Sequence, residues 1–248
     1  MAARKPHHPP DPGEFGRPWS DVPRLIVGSA GAPAGYGDRW FYVAAIPRPI
    51  ACQIIRENHY SRRIVNNSYV HLGVFLDGAL KGVLQFGYAL NPAAMSKVVA
   101  GTTSIDYLEL NRMWLSDEAP HNSESRGIAY AVRYIRQAMP QVRWIQSFAD
   151  ERCGRWGVVY QAANFLYVGS HFTSFYMLDG ETYHEMLLTT HGAKGGQRGA
   201  HLRANIHRAT SHRFRQFRYV FFLHRGARRH LRLKVQPYPK PDEFAVDQ

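Results

Sequence analysis

The stretch Tyr107–Asp150 reads YLELNRMWLSDEAPHNSESRGIAYAVRYIRQAMPQVRWIQSFAD, and its reading decides the fold. Tyr107 to Leu115 is strand-like and carries Glu109, Asn111 and Arg112 towards a polar turn. The turn holds Asn122, Ser123, Glu124 and Ser125 and opens a helix in which Ile128, Ala131, Val132, Ile135 and Met139 fall on one face. Pro140 closes the helix, since proline cannot continue it. A second strand, VRWIQSFAD, then runs out to Asp150. A strand–helix–strand unit with polar groups gathered at its ends is where open α/β sheets bind ligands.

Upstream, Trp40–Ile46 predicts a strand, and Pro49 suits a helix start. Ile50, Ala51, Ile54 and Ile55 form the apolar stripe of a short helix ending near Asn58, followed by the polar run His59-Tyr60-Ser61-Arg62-Arg63. Val70–Leu76 and Leu80–Phe86 are strands joined at Asp77-Gly78, a strong hairpin signal. Residues 90–105 read as a loop. Downstream, Val158–Ala163 is a short helix with Asn164 as its left-handed C-cap. Phe165–Gly169 and Phe172–Leu178 read as two closing strands before a turn at Asp179-Gly180.

The ends differ from this middle. Residues 1–35 hold seven of the fifteen prolines and predict a flexible lead-in. His7 and His8 have no partner ligands at metal-binding spacing and read as part of a solvated tail. Residues 191–240 contain thirteen Lys/Arg, six His and no Asp or Glu, with two strand-like runs around Arg225-Gly226 that suggest a terminal hairpin. The division expected is a lead-in over 1–35, a catalytic domain over 36–180, a basic extension over 181–240 and a tail over 241–248. The fold class is α+β, a mixed, mostly antiparallel central sheet flanked by helices, with a basic C-terminal extension ending in a hairpin.

The formal charge of +12 at pH 7 favours polyanionic partners, nucleic acid before a membrane surface, because no basic amphipathic helix is present. No stretch has the apolar length to span a bilayer, and no charged-then-apolar leader opens the chain. Cys52 and Cys153 lie far apart and form no metal-type pair, a usage that fits a reducing cytoplasm. Thirteen histidines make a metal-assisted route conceivable, yet no spacing singles out a ligand set, so no metal site is assigned.

The order of elements resembles that of the GNAT acyltransferase superfamily, and Tyr160-Gln161-Ala162-Ala163-Asn164-Phe165 is similar to its tyrosine-bearing last helix, with Asn164 where Gly is usual. A closer resemblance is to the Mom family of phage DNA adenine-modification proteins. Four blocks carry it: NHYS at 58–61 with VNNSYVHLGVF at 65–75, GVLQFG at 82–87, ELNRMWLSD with NSESR at 109–126, and SFAD at 147–150 followed by Tyr160. The resemblance implies a transferase that converts the exocyclic 6-amino group of adenine in duplex DNA to a carbamoylmethyl form, shielding phage DNA from restriction. It also implies a cytoplasmic setting in the host cell. The subunit count stays open, a homodimer included.

With that resemblance, His59 and Tyr60 become candidates for proton transfer or for holding a flipped base, whereas alone they read as a polar loop after a helix. Arg112, in an apolar strand, needs a carboxylate partner; Asp150 is the first candidate and Glu109 the second. That pair reads equally well as a structural tie between strands or as a catalytic pair in which Asp150 orients or deprotonates the amine. Tyr160 is the superfamily's leaving-group acid, or else a half-buried helix tyrosine. Asn111, Ser123, Ser125 and Arg126 are the candidate donor-binding residues, although capping by Asn122 or Ser123 explains much of that turn. Only Arg126-Gly127 is similar to the superfamily's pyrophosphate loop, and Glu124 repels phosphate. The donor expected is therefore glycyl-tRNA ahead of acetyl-coenzyme A. Arg203, Arg208, Arg213, Arg215, Arg218, Arg228 and Arg229 are the candidate DNA contacts.

Two competing readings are a non-catalytic nucleic-acid-binding protein on a GNAT scaffold and an ordinary acetyltransferase. The catalytic reading needs an imidazole, a carboxylate and a phenol, His59, Asp150 and Tyr160, to converge on one cleft.

Overall fold

A computed structural model describes residues 8–153, 156–189 and 196–240. One ten-stranded sheet organises the chain. Its strands are β1 Arg24–Val27, β2 Pro33–Gly37, β3 Phe41–Ala45, β4 Ser68–Leu76, β5 Ala79–Gly87, β6 Tyr107–Leu115, β7 Trp144–Asp150, β8 Leu166–Leu178, β9 Glu181–His184 and β10 Thr210–Phe222. They lie in the order β1-β2-β3-β4-β5-β6-β7-β10-β8-β9. The helices are α1 Arg48–Asn58, α2 Ser123–Ala138, α3 Val158–Ala162, α4 Met186–Thr189 and α5 Gly196–Ala204. Every neighbouring pair is antiparallel except β6 and β7, which α2 joins as a parallel crossover.

The main core lies between the sheet and α2. Leu108 and Leu110 of β6 alternate with Tyr107 and Glu109, and meet Ile128, Val132 and Ile135 of α2 together with Val70, Leu72, Val74 and Leu84. The helical stripe expected from the sequence is the buried one. Met139, whose φ of −140° ends the helix, is fully buried. On the opposite face, α1 covers Val83 through Ala51 and Ile55, and Tyr107, Trp144, Val168 and Val220 form a second cluster with Met95, Val98 and Val99. Between these two clusters the face is polar. Asp77 and Gly78 both take positive φ, 48° and 81°, as the tight turn between β4 and β5 requires. Asn164 is left-handed, with φ 62°, after α3.

Three expectations fail. Residues 24–37 form β1 and β2 at the sheet edge rather than a flexible lead-in. Gly35 explains how: a Cβ there would sit 2.2 Å from the Val43 carbonyl oxygen, so glycine lets the two backbones approach. The basic segment is not an appended hairpin either. β10 inserts between β7 and β8, with Phe217, Tyr219 and Phe221 turned into the main core, while Arg225–His230 forms a 3₁₀ turn. Beyond that turn, among the described residues, only an isolated bridge between Val99 and Leu231 has strand character. Finally, the two closing strands are one, β8, which passes through Gly169 at φ 106° and shifts register against β10 between Phe217 and Tyr219. His7 and the segment 241–248 lie outside the described residues. His8 stacks on Tyr69 at 4.3 Å.

Candidate active site

The parallel pair opens into a gap. β6 and β7 are hydrogen-bonded from Tyr107↔Trp144 to Leu110↔Ser147 and no further. β6 then continues to Leu115 along β5 alone, and β7 continues to Asp150 along β10 alone. Their carboxyl ends therefore diverge, at the end of a parallel pair where α/β sheets place ligands.

A bulge turns the polar residues of β6 to one side of this gap. Gln85 of β5 faces Arg112, but its neighbour Phe86 faces Leu110, so Asn111 is the extra residue. In an unbulged strand, Glu109 and Arg112, three residues apart, would point to opposite faces. With the bulge, both join Gln146 and Arg218 on the face opposite α2.

Glu109 lies on the floor. One carboxylate oxygen accepts from Gln146 Nε2 at 2.6 Å and the other from Asn111 Nδ2 at 3.2 Å. Asn111 is itself fixed: its amide also donates to the Tyr88 carbonyl at 3.2 Å, and its Oδ1 accepts from Ser68 Oγ at 2.9 Å. Gln146 is fully buried, and its Oε1 has no hydrogen-bond partner among the described residues. Burial pushes the Glu109 carboxyl up to about 7, against the opposing pull of the two amides and of the charges on Arg218 and Arg112.

His59 follows the last residue of α1, and its N–H donates to the Ile55 carbonyl at 3.1 Å. Its buried ring accepts through Nδ1 from the Ser61 N–H at 3.1 Å, with Ser61 Oγ 2.8 Å away. Accepting at Nδ1 leaves the proton on Nε2. Burial first, and Arg112 second, lower the imidazole to about 4. At neutral pH His59 is thus a neutral ring offering Nε2–H. With Nδ1 occupied by Ser61, the ring presents Nε2–H as a donor. Tyr60, 61% exposed, lies 4.3 Å from it, ring to ring.

Arg112 donates to the carbonyls of Arg63, at 3.2 Å, and Asn111, at 2.7 Å. Tyr60, Glu109, Arg152 and Asp150 all lie within its electrostatic reach. The expected Arg112–Asp150 ion pair is absent among the described residues. Asp150 is held instead by Arg152, whose Nε donates to both carboxylate oxygens at 3.0 Å and whose guanidinium lies 3.6 Å over Phe175. The reason is distance along the opened pair: Asp150 sits on the strand that leaves β6. Arg63 also pairs with Glu181, which Arg198 of α5 holds as well, so the loop carrying His59 is tethered to the β9 side of the sheet.

The convergence expected of His59, Asp150 and Tyr160 does not occur, because Tyr160 lies apart from this group. Its ring is buried on the α2 side, packed against Phe165 at 5.7 Å and Tyr219 at 5.4 Å. The phenol that the structure brings beside Arg112 is that of Tyr60. Ser123, Ser125 and Arg126 are also separate from Asn111. They line a cleft of about 400 Å³ at the start of α2 with Trp40, Phe41, Leu76 and Ala162. Arg126 is engaged there by Asp38 at 2.6 Å, and Asn122 starts the helix in a left-handed conformation without a side-chain cap, so the expected capping does not occur.

The arginines assigned to DNA scatter. Arg203 donates to the Leu187 carbonyl at 2.8 Å, and Arg208 pairs with Asp179 at 2.7 Å. Arg213 and Arg215 each lie 5.1 Å over the half-exposed Phe172 ring, Arg218 lies 4.9 Å over Phe148, and Arg228 and Arg229 are exposed on the 3₁₀ turn. Sequence reasoning missed Gln146, Arg152 and Asp38 and gave Glu109 only a secondary place. A glutamate alternating with core leucines in a strand was the available signal for it. Among the described residues, no group of three or more His, Cys, Asp or Glu is arranged to hold a metal ion.

A family model for the Mom protein family matches residues 40–240. The chain belongs to the Mom family. It is 55% identical over 218 residues to the protein named methylcarbamoylase Mom of Escherichia phage Mu, spanning 87% of this chain and 90% of that protein, and it is a transferase. Similar solved structures include an apo form of the RimL ribosomal-protein α-N-acetyltransferase, at 13% identity and TM-score 0.42 over 75% of this chain and 94% of that one. A GNAT-family acetyltransferase from Streptococcus pneumoniae matches at 13% identity and TM-score 0.36, over 64% and 68% of the respective chains. Among the described residues, this Mom chain carries no helix long and apolar enough to cross a membrane.

Proposed function

We propose that this Mom-family chain transfers a carbamoylmethyl-forming group to the 6-amino group of adenine in duplex DNA, and so protects phage DNA from restriction. The observation that carries the proposal is the opened β6/β7 pair. Its polar face gathers Glu109, Arg112, His59 and Tyr60 around one gap, with Asp150 on the opposite lip. The name of the 55% identical relative supports the reaction class.

The amine of a paired adenine is blocked by stacking, so the base is flipped out at a cost of a few kcal/mol. Arg213 and Arg215 on β10, and Arg228 and Arg229 beyond it, offset that cost through phosphate contacts. Tyr60, exposed beside the gap, is suited to stack on the extruded purine. His59 Nε2–H and Arg112 polarise the acyl oxygen of the donor.

The donor we favour is a glycyl ester such as glycyl-tRNA. The adenine amine forms a bond to the glycyl carbonyl carbon, the carbon–oxygen ester bond breaks, and the alcohol leaves with a proton. The glycyl amine then attacks ring carbon six, giving a five-membered spiro intermediate. Reopening breaks the original carbon–nitrogen bond and leaves the carbamoylmethyl isomer, with no redox change. Acetyl-coenzyme A fits less well because Arg126, in the cleft at the start of α2, is engaged by Asp38. Incubating the purified chain and duplex DNA with isotopically labelled glycyl-tRNA should place label in deoxyadenosine. Label that enters from acetyl-coenzyme A and not from glycyl-tRNA would reject this donor. A nucleic-acid-binding protein without catalysis would bind DNA in a salt-sensitive manner and give no product.

A further inference from the structure

We infer that Glu109, and not Asp150, takes the proton from the attacking adenine amine. The inference rests on the adenine-modification reading above and assigns a step within it. Asp150 is committed to Arg152, which engages both of its oxygens and is itself stacked on Phe175. Both oxygens of that carboxylate already accept hydrogen bonds from the guanidinium. Among the described residues, Glu109 has no such partner. Its two hydrogen bonds come from the neutral amides of Gln146 and Asn111, and it keeps part of its surface open on the floor of the gap. The charged or titratable groups that face it are Arg112 on its own strand, Arg218 from β10 and the Tyr107 phenol, while β7 contributes the neutral Gln146. The charges on the two arginines keep the deprotonated form accessible.

Burial brings the carboxyl to about 7, close to the optimum for accepting a proton at neutral pH. The unpartnered Gln146 Oε1 completes the device. While Glu109 is ionised, Gln146 donates to it through Nε2. Once Glu109 has taken the proton, a turn of the buried amide brings Oε1 round to accept the new O–H. The proton moves from the amine nitrogen to a Glu109 oxygen as the bond to the donor carbonyl forms. It is returned to the departing alcohol, so the carboxylate is regenerated.

The test uses the full chain co-expressed with plasmid DNA, mass spectrometry of the nucleosides, and anisotropy of a labelled duplex oligonucleotide. Glu109→Gln keeps the volume, and Gln146 can flip to pair with the new amide, so the fold is retained. The expected result is a loss of modified deoxyadenosine of about 100-fold or more, with duplex affinity within about twofold of wild type. Glu109→Asp, whose shorter carboxyl still titrates, should restore part of the product. Glu109→Gln with product near the wild-type level would overturn the inference. A second, activity-free readout is carbon-13 NMR of labelled glutamate carboxyls. One resonance of the wild-type chain, missing from Glu109→Gln, should titrate near neutrality. If that resonance titrates below about pH 5, an ordinary carboxylate value, the assignment fails. If wild type yields no modified base at all, it is the adenine-modification reading that fails.

Discussion

Glu109 and Arg112 share one face of β6 although an unbroken strand would set them on opposite faces; the bulge at Asn111 places them together. Removing that one residue is therefore more informative than replacing it. Deletion of Asn111 would restore the plain alternation with Arg112 two residues from Glu109, so both side chains stay on the face opposite α2 while the hydrogen bonds of Asn111 to Glu109, Tyr88 and Ser68 are lost. We expect lower stability by about 1–3 kcal/mol, the scale of those buried hydrogen bonds. Asn111→Ala, which keeps the bulge, removes the same hydrogen bonds, so any larger loss in the deletion measures the bulge itself. Urea unfolding of the two variants separates the effects.

Asp150 and Arg152 act as one unit. Asp150→Asn and Arg152→Ala should lower product by similar factors, and the double variant should be little worse than either single one, because both remove the same pair. Additive losses, measured by nucleoside mass spectrometry, would mean that the two side chains act separately.

His59 and Glu109 pull stability in opposite directions with pH. His59 titrates lower in the folded chain, about 4, than in an unfolded one, so the unfolded state binds more protons between those values. Stability from His59 is present above pH 6.5 and is lost as pH falls towards 4. His59→Asn should flatten that loss, worth roughly 1–3 kcal/mol in urea titrations.

Glu109 is the reverse case. Its folded value, about 7, exceeds the unfolded one, so its folded form holds more protons and stability falls as pH rises through that window. Glu109→Gln should thus raise the melting temperature at pH 8 by a few degrees and leave it unchanged at pH 4.

The basic C-terminal segment cannot be removed as a module. Because β10 pairs with both β7 and β8, truncation before Thr210 should give aggregated protein instead of a folded chain with weaker DNA binding. Tyr219→Ala, at a fully buried position, should cost about 3–5 kcal/mol. A soluble, cooperatively melting truncation would contradict this placement.

What could be read in advance follows from the range of each interaction. The α2 stripe, the Asp77-Gly78 turn and the left-handed Asn164 are local patterns, and they appear where the sequence puts them. The place of β10 depends on which strands it meets far along the chain, and its alternation of arginine with aromatic residues suits a DNA-facing surface as well as a sheet interior. β1 and β2 were hidden because Pro33 and Gly35 read as breakers, although close backbone approach is what Gly35 provides. In the site, His59, Tyr60, Arg112 and Asp150 were legible as residues, and their shared neighbourhood follows from the order of elements. Their pairings were not. The bulge at Asn111, the capture of Asp150 by Arg152 and the burial of Tyr160 beside Tyr219 are consequences of register and packing.

The most direct test is mass spectrometry of nucleosides from plasmid DNA replicated in cells that express the full-length chain. The account predicts a deoxyadenosine heavier by one carbamoylmethyl group in wild type, abolished in Glu109→Gln at equal protein level. Unmodified deoxyadenosine alone, from soluble wild-type protein that binds the duplex, would contradict it.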